Sequence, residues 1–191
     1  MQPLTVADIR PPSAYEPVRG EARRRIVELK RPRRVRLGEL LTLTFENRDT
    51  VRGVVEELLR AERIETAERI AEELEVFNTL IPGPSELSAT LFLEIADPAE
   101  MAIRLAELRG IEAGVHLEVD GRRIGGNVAE GPVREDGSSV HHLRFRLEEA
   151  QMARLRDGAE VAAVADHEHY RARTVLDEEQ VAALRSDLAA Q

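Results

Sequence analysis

Four of the five histidines sit in two short stretches, VHHLRFRL at 140–147 and VADHEHY at 164–170. On a strand, His167 and His169 at i, i+2 place both imidazoles on one face at chelating separation. A neutral imidazole could also act as a general base near pH 7. Asp166, Glu168 and Tyr170 add two carboxylates and a phenol to the same seven positions. In the earlier stretch, period-two alternation sets His141 with Leu143, Phe145 and Leu147, facing a core. His142 falls with Arg144 and Arg146, facing water or an edge.

A third group is needed for a metal site, and the helix beginning after Asn47 offers one. Its apolar positions Val51, Val54, Val55, Leu58 and Leu59 form an i, i+3, i+4, i+7, i+8 stripe. Glu62 falls inside that stripe, whereas Glu56, Glu57 and Arg60 point away. A carboxylate on a core face is costly without a partner. Glu62 and His141 are therefore the candidates to complete, with the histidines of VADHEHY, a site for a small ligand or a divalent metal (Fe, Mn or Zn). The competing reading ends the helix at Glu62 and leaves VADHEHY in a solvated loop.

Other chemistries are narrowed by what is missing. Without cysteine there is no disulfide, thiolate nucleophile, Cys–zinc site or Cys-ligated Fe–S cluster. There is no Gly-x-Ser-x-Gly elbow, and GRRIGG at 121–126 matches neither a P-loop nor a dinucleotide fingerprint. No apolar run approaches about 18 residues and no secretory signal opens the chain, so the expectation is a cytoplasmic protein off the membrane.

Charge is uneven. Residues 19–36 hold nine Lys/Arg against two Glu, a local +7 in a chain of net −9, so the remainder carries −16. Either an anionic partner meets Arg23, Arg24 and Arg25, or the basic residues pair with carboxylates of the same fold. The acidic remainder disfavours nucleic acid. Self-association into a homo-oligomer stays open.

The elements that must position these groups follow from periodicity and caps. Val18, Ala22, Ile26 and Leu29 predict a helix over 18–30, stopped by Pro32, within a basic helical segment of about 13–36. Residues 34–46 read as one half-buried strand, with Leu41, Leu43 and Phe45 alternating against Thr42, Thr44 and Glu46. Further helices are expected near 65–77, 97–109 and 148–156 and after Asp177. Strands are expected at SATLFLEIA, GVHLEVDG (with His116 on the surface), 140–147 and AEVAAVAD, after which HEHYRARTVL continues or turns back. Residues 120–139 read as a Gly-rich loop or long hairpin, with a turn at Asp136-Gly137. The expected fold is α+β, one domain over 1–191, with a mainly antiparallel sheet and helices packed on it.

Several blocks, taken together and in order, resemble a bacterial family known only as domain of unknown function 3501. They are YEPVRGEARRRIVELKRPRRVRLGELLTLTFENRDTVR, EELLRAERI, FNTLIPGP, LSATLFLEI, LRGIE, VHHLRFRL and DHEHY. The polar positions matched in the resemblance include Tyr15, Arg19, Glu46, Arg48, Asp49, Glu57, Arg60, Glu62, Asn78, Glu94, His141, Arg144, Asp166, His167 and Tyr170. Among them the resemblance implies Glu62, His141 and His167 as the candidate ligand set, with Arg60, Asp166 and Tyr170 around it. It places an aromatic where this chain has His142, and Pro-Asn where it has Glu168-His169, which counts against a His167/His169 chelate. Members are often encoded beside rubrerythrin-like and iron–sulfur reductase-like proteins. The resemblance thus implies a ligand- or metal-binding accessory protein in redox or oxidative-stress metabolism, or a non-enzymatic module docking on a redox-protein partner through its basic segment. A metal-dependent enzyme is the weaker alternative.

Overall fold

The structure is a computed structural model and describes residues 1–128 and 139–190. The eight strands are β1 (Arg34–Leu37), β2 (Leu41–Glu46), β3 (Glu86–Leu93), β4 (Val115–Val119), β5 (Arg122–Val128), β6 (Val140–Arg146), β7 (Val161–His167) and β8 (Tyr170–Val175). The helices are α1 (Pro12–Tyr15), α2 (Arg19–Lys30), α3 (Arg48–Glu62), α4 (Ala67–Phe77), α5 (Pro98–Glu107), α6 (Ile111–Gly114), α7 (Glu149–Arg156) and α8 (Glu178–Ala189). The strands form one sheet in the order β1-β2-β3-β6-β5-β4-β7-β8, with every pairing antiparallel. The sheet curls until β1 meets β8, so the α+β expectation holds, but as a nearly closed barrel rather than a sheet with helices packed on it.

Side chains bridge the β1–β8 seam in place of a backbone ladder. The Tyr170 hydroxyl donates to the Leu37 carbonyl at 2.6 Å and accepts from the Leu40 N–H at 3.1 Å. Thr174 donates its hydroxyl proton to the Arg36 carbonyl, and the Gln180 amide donates to that of Arg34. Edge carbonyls that would otherwise need water or another strand are thereby satisfied. Gly38 makes the β1–β2 turn at φ +66°, and a Cβ there would lie 2.4 Å from the Tyr170 oxygen. Glycine meets both demands at once. The expected single strand over 34–46 is therefore a hairpin broken at this turn, and HEHYRARTVL turns back as β8.

The barrel interior holds one core, with Leu43, Phe45, Leu91, Val115, Leu117, Leu143, Phe145, Val161 and Ala163 buried in the alternation the sequence predicts. A second core lies among the N-terminal segment, α3 and α4, from Leu4, Ile9, Val51, Val55, Leu59, Ile70 and Leu74. Asn47 caps α3, its side chain accepting from the Thr50 N–H at 2.9 Å. The outward row of β2 and β3 is covered too, Ser88 donating to the Leu80 carbonyl and Glu46 pairing with Lys30, so Thr42, Thr44, Glu46, Ser88 and Thr90 are buried and β2 is buried on both faces, not half-buried. The Arg144 guanidinium, donating to the Thr79 and Ile81 carbonyls and to Glu86, pins the turn after α4 onto β6. Among the described residues no helix is long and apolar enough to cross a membrane. Of the Gly-rich 120–139 segment, 122–128 is strand; the turn at Asp136-Gly137 lies outside the described residues.

Candidate functional site

The expected metal set is not assembled. Among the described residues no group of three or more His, Cys, Asp or Glu is arranged to hold a metal ion. Glu62 is exposed in the last turn of α3, which stops at Arg63 in the left-handed conformation (φ 57°). The buried face of α3 is rotated from the predicted one toward Gly53 and Glu56, because α2 and the N-terminal segment pack there. Glu56 is thus the core carboxylate, 2 % exposed, with both oxygens held by Arg10 (Nε–Oε1 2.8 Å, Nη2–Oε2 2.6 Å). Its partner lies 46 positions away, so nothing local in the sequence marks it.

His167 has both ring nitrogens occupied. Its Nδ1 accepts from the His169 N–H at 3.3 Å, which requires Nε2 to carry the proton it donates to the Arg109 carbonyl at 3.2 Å. The ring thereby ties the β7–β8 turn to the backbone just before α6. His141 lies on the inner face as predicted, its Nδ1 3.7 Å from Glu112 Oε2, within Coulomb reach but beyond hydrogen-bond distance. The two histidines therefore contact one short segment, 109–112, through different groups.

The surrounding candidates are engaged elsewhere. Asp166 is exposed and pairs with its cross-strand neighbour Arg171 at 3.1 Å. Arg60 pairs with Glu16 at 2.5 Å, and Tyr170 latches the barrel seam. Two other histidines are more enclosed than the sequence implied. His116 points outward from β4 yet is only 5 % exposed, correcting its surface placement, with Nδ1 3.2 Å from the Gly114 carbonyl oxygen. His142 is half-buried, its Nδ1 3.3 Å from Thr90 Oγ1, and it lines a narrow cleft with the buried Glu46. Thr90 also donates to Glu46 at 3.0 Å, so the hydroxyl sits between acid and imidazole. A Ser/Thr hydrolase needs the imidazole between acid and hydroxyl, so this row is not a nucleophilic triad.

The N-terminal helices carry the most concentrated charge network. Tyr15 is buried, and its hydroxyl donates to Glu57 at 2.8 Å; burial, then this bond to an anion, push its pKa up to about 12. Arg19 donates to the same carboxylate, which holds Glu57 below the usual carboxylate range. Eight of the nine cations of the basic segment then divide in two, the ninth, Arg36, being exposed and donating to the Glu39 carbonyl. Arg19, Lys30, Arg31, Arg33 and Arg34 each pair with a carboxylate of this chain, the Arg33–Asp187 pair being buried on both sides. Arg23, Arg24 and Arg25 are exposed on α2 and have no ion-pair partner among the described residues. On the far side of the barrel, a groove of about 530 Å³ is lined by His116, Glu118, Arg123, Asp166, Arg171 and Arg173, mostly as mutually neutralising pairs.

No match was found among the curated proteins. Among solved structures, the chain is similar to a protein of unknown function from Burkholderia pseudomallei K96243, at 34% identity and TM-score 0.92, covering 98% of this chain and 100% of that one. The family described as Protein of unknown function (DUF3501) matches residues 3–188, and the chain belongs to it.

Proposed function

We propose that this protein is a docking module that holds an acidic protein surface against α2. The observation carrying this reading is the contrast within one basic segment. Five of its cations are neutralised within the fold, while Arg23, Arg24 and Arg25 are exposed on one helix with no ion-pair partner among the described residues. Val27, 64 % exposed on the same helix, adds an apolar contact beside the charges. An arginine cluster with an adjoining aliphatic residue suits a carboxylate-rich partner, since guanidinium matches carboxylate geometry. Duplex nucleic acid fits poorly with a chain of net charge −9.

The test is titration with a Glu-rich peptide and, separately, with duplex DNA. Three exposed ion pairs at about 0.2–1 kcal/mol each predict that Arg23→Glu, Arg24→Glu, Arg25→Glu together weaken peptide binding at least several-fold, with the circular dichroism spectrum unchanged. Binding that ignores this triple reversal, or that favours DNA, rejects the reading.

A further inference from the structure

Beside the exposed arginines, α2 and α3 do not close completely. They leave a cleft of about 180 Å³ lined by Arg10, Val18, Glu21, Ala22, Arg25, Ile26, Arg52 and Glu56. The α2 contribution, at 18, 21, 22, 25 and 26, is one helical face in i, i+3, i+4, i+7, i+8 spacing. Arg25 is therefore set apart from Arg23 and Arg24, since it lies along the cleft. The floor is Glu56, whose two oxygens are already taken by the Arg10 side chain and backbone N–H. Its negative charge is matched by Arg10, which fills three of its roughly four acceptor sites. Arg52 pairs with Asp49 through Nη2, and Arg25 has no ion-pair partner among the described residues.

Three guanidiniums against two carboxylates leave the lining itself at +1, with Asp49 outside it on one nitrogen of Arg52, beside an aliphatic wall of Val18, Ala22 and Ile26. The ligand that complements this is a monoanion with a short apolar stem. Volume decides its size: 180 Å³ falls below the roughly 300–1,000 Å³ of sites for drug-sized ligands or cofactors but accommodates one side chain.

We infer that this cleft is the anchor point of the docking surface, receiving the side-chain carboxylate of a Glu or Asp from the partner, with its methylenes against Val18 and Ile26 and its oxygens on Arg25 and Arg52. This rests on the docking reading above and makes Arg25 its specificity-determining residue. Burying one charge-assisted contact in a cleft strengthens it relative to a rim contact, so Arg25 outweighs its two neighbours.

The experiment compares two variants of the full chain in the same Glu-rich peptide titration. Arg25→Gln alone is expected to lose about tenfold in affinity, more than Arg23→Gln with Arg24→Gln. If the double variant loses affinity and Arg25→Gln does not, the docking surface stands and the anchor falls; if neither loses, both fall. Methyl NMR of Val18 and Ile26 supplies a readout independent of the peptide. Butanoate, a free monoanion with the same stem, should shift both resonances saturably in the wild type and not in Arg25→Gln, while butylammonium leaves them unmoved. Equal shifts with both probes, or butanoate shifts that survive Arg25→Gln, overturn the anchor. Butanoate saturation without any loss of peptide affinity in Arg25→Gln identifies a free small-acid site and also overturns it.

Discussion

The outer surface of the barrel is built by one rule and used in two ways. On β2 and β3 the outward row is Thr42, Thr44, Glu46, Ser88 and Thr90, all buried beneath neighbouring segments. On β8 the outward row is Arg171, Arg173 and Val175, all in solvent. The first row alternates with apolar residues that fill the barrel, the second with Tyr170, Ala172 and Thr174, which pack on the core or close the seam. Alternation thus fixes which side chains leave the barrel interior, and only tertiary packing decides whether they meet water. The energetic consequence is large: ion pairs beside the covered half sit in low dielectric, where losing one partner is costly, and those on the open half are screened.

The sharpest way to test that contrast is the Arg33–Asp187 pair. It is bidentate, at 2.9 and 2.8 Å, with side chains 8% and 5% exposed, and Asp187 also accepts from the Asn47 amide at 2.9 Å. Asp187→Ala leaves a buried guanidinium without its counter-charge, holding only the Leu29 carbonyl, and the Asn47 amide without this acceptor, and should cost about 3–5 kcal/mol in denaturant unfolding. Arg33→Met with Asp187→Leu should cost less than the single change, because no uncompensated charge remains. A double variant as unstable as Asp187→Ala would show that packing, not charge, dominates the site.

Next in size is the seam. Tyr170→Phe keeps the ring but removes the group serving the Leu37 carbonyl and the Leu40 N–H, so it should destabilise by about 1–3 kcal/mol. Unchanged stability would mean the barrel is held without the latch. The same variant isolates the other tyrosine, since the chain has only two. In it, the tyrosinate absorbance should appear with a midpoint near the value of about 12 that burial and Glu57 impose on Tyr15. The folded pKa is raised above the unfolded one, so this stabilisation is complete below about pH 10 and is lost as pH rises through 12. Glu57→Gln should move the midpoint part of the way back, leaving the share due to burial. A midpoint near 10 in the folded protein would place Tyr15 in water.

These tests also show what was legible in advance. Caps and periodicity located nearly every element, because Asn47, Asp97 and Asp177 mark helix starts by local chemistry. The inward rows, His141 included, were readable from alternation alone. Barrel closure was not, since it depends on Tyr170 and Thr174 reaching β1 more than 130 positions earlier. Nor was the burial of Glu56 in place of Glu62, which is set by Arg10 and by α2 lying across the face at Gly53, where a Cβ would sit 2.7 Å from Ile26. His167 and Tyr170, two positions that the resemblance singled out, each hydrogen-bond to the main chain. Their partners are backbone groups, which no pattern of side-chain types reveals.

Within the covered half, one residue should reward removal of polarity. Thr42 is fully buried on β2, and its hydroxyl has no hydrogen-bond partner among the described residues. Thr42→Val keeps the branched shape suited to a strand and removes the desolvated group, so it should stabilise by about 1 kcal/mol. Loss of stability would require a bonding partner for that hydroxyl.

The smallest effect belongs to the open half and completes the contrast. Arg171 and Asp166 face each other across β7 and β8 at 3.1 Å, with side chains 79% and 55% exposed. Geometrically the pair resembles Arg33–Asp187, a guanidinium on a carboxylate at about the same separation. Its environment differs: water solvates both ions before and after the pair breaks, so the Coulomb gain is offset by lost side-chain entropy. Arg171→Ala should therefore shift stability by less than about 0.5 kcal/mol, and raising salt should erase even that. A cost comparable to Asp187→Ala would mean that the β7–β8 face is covered in solution, which would turn the open half into a second buried surface.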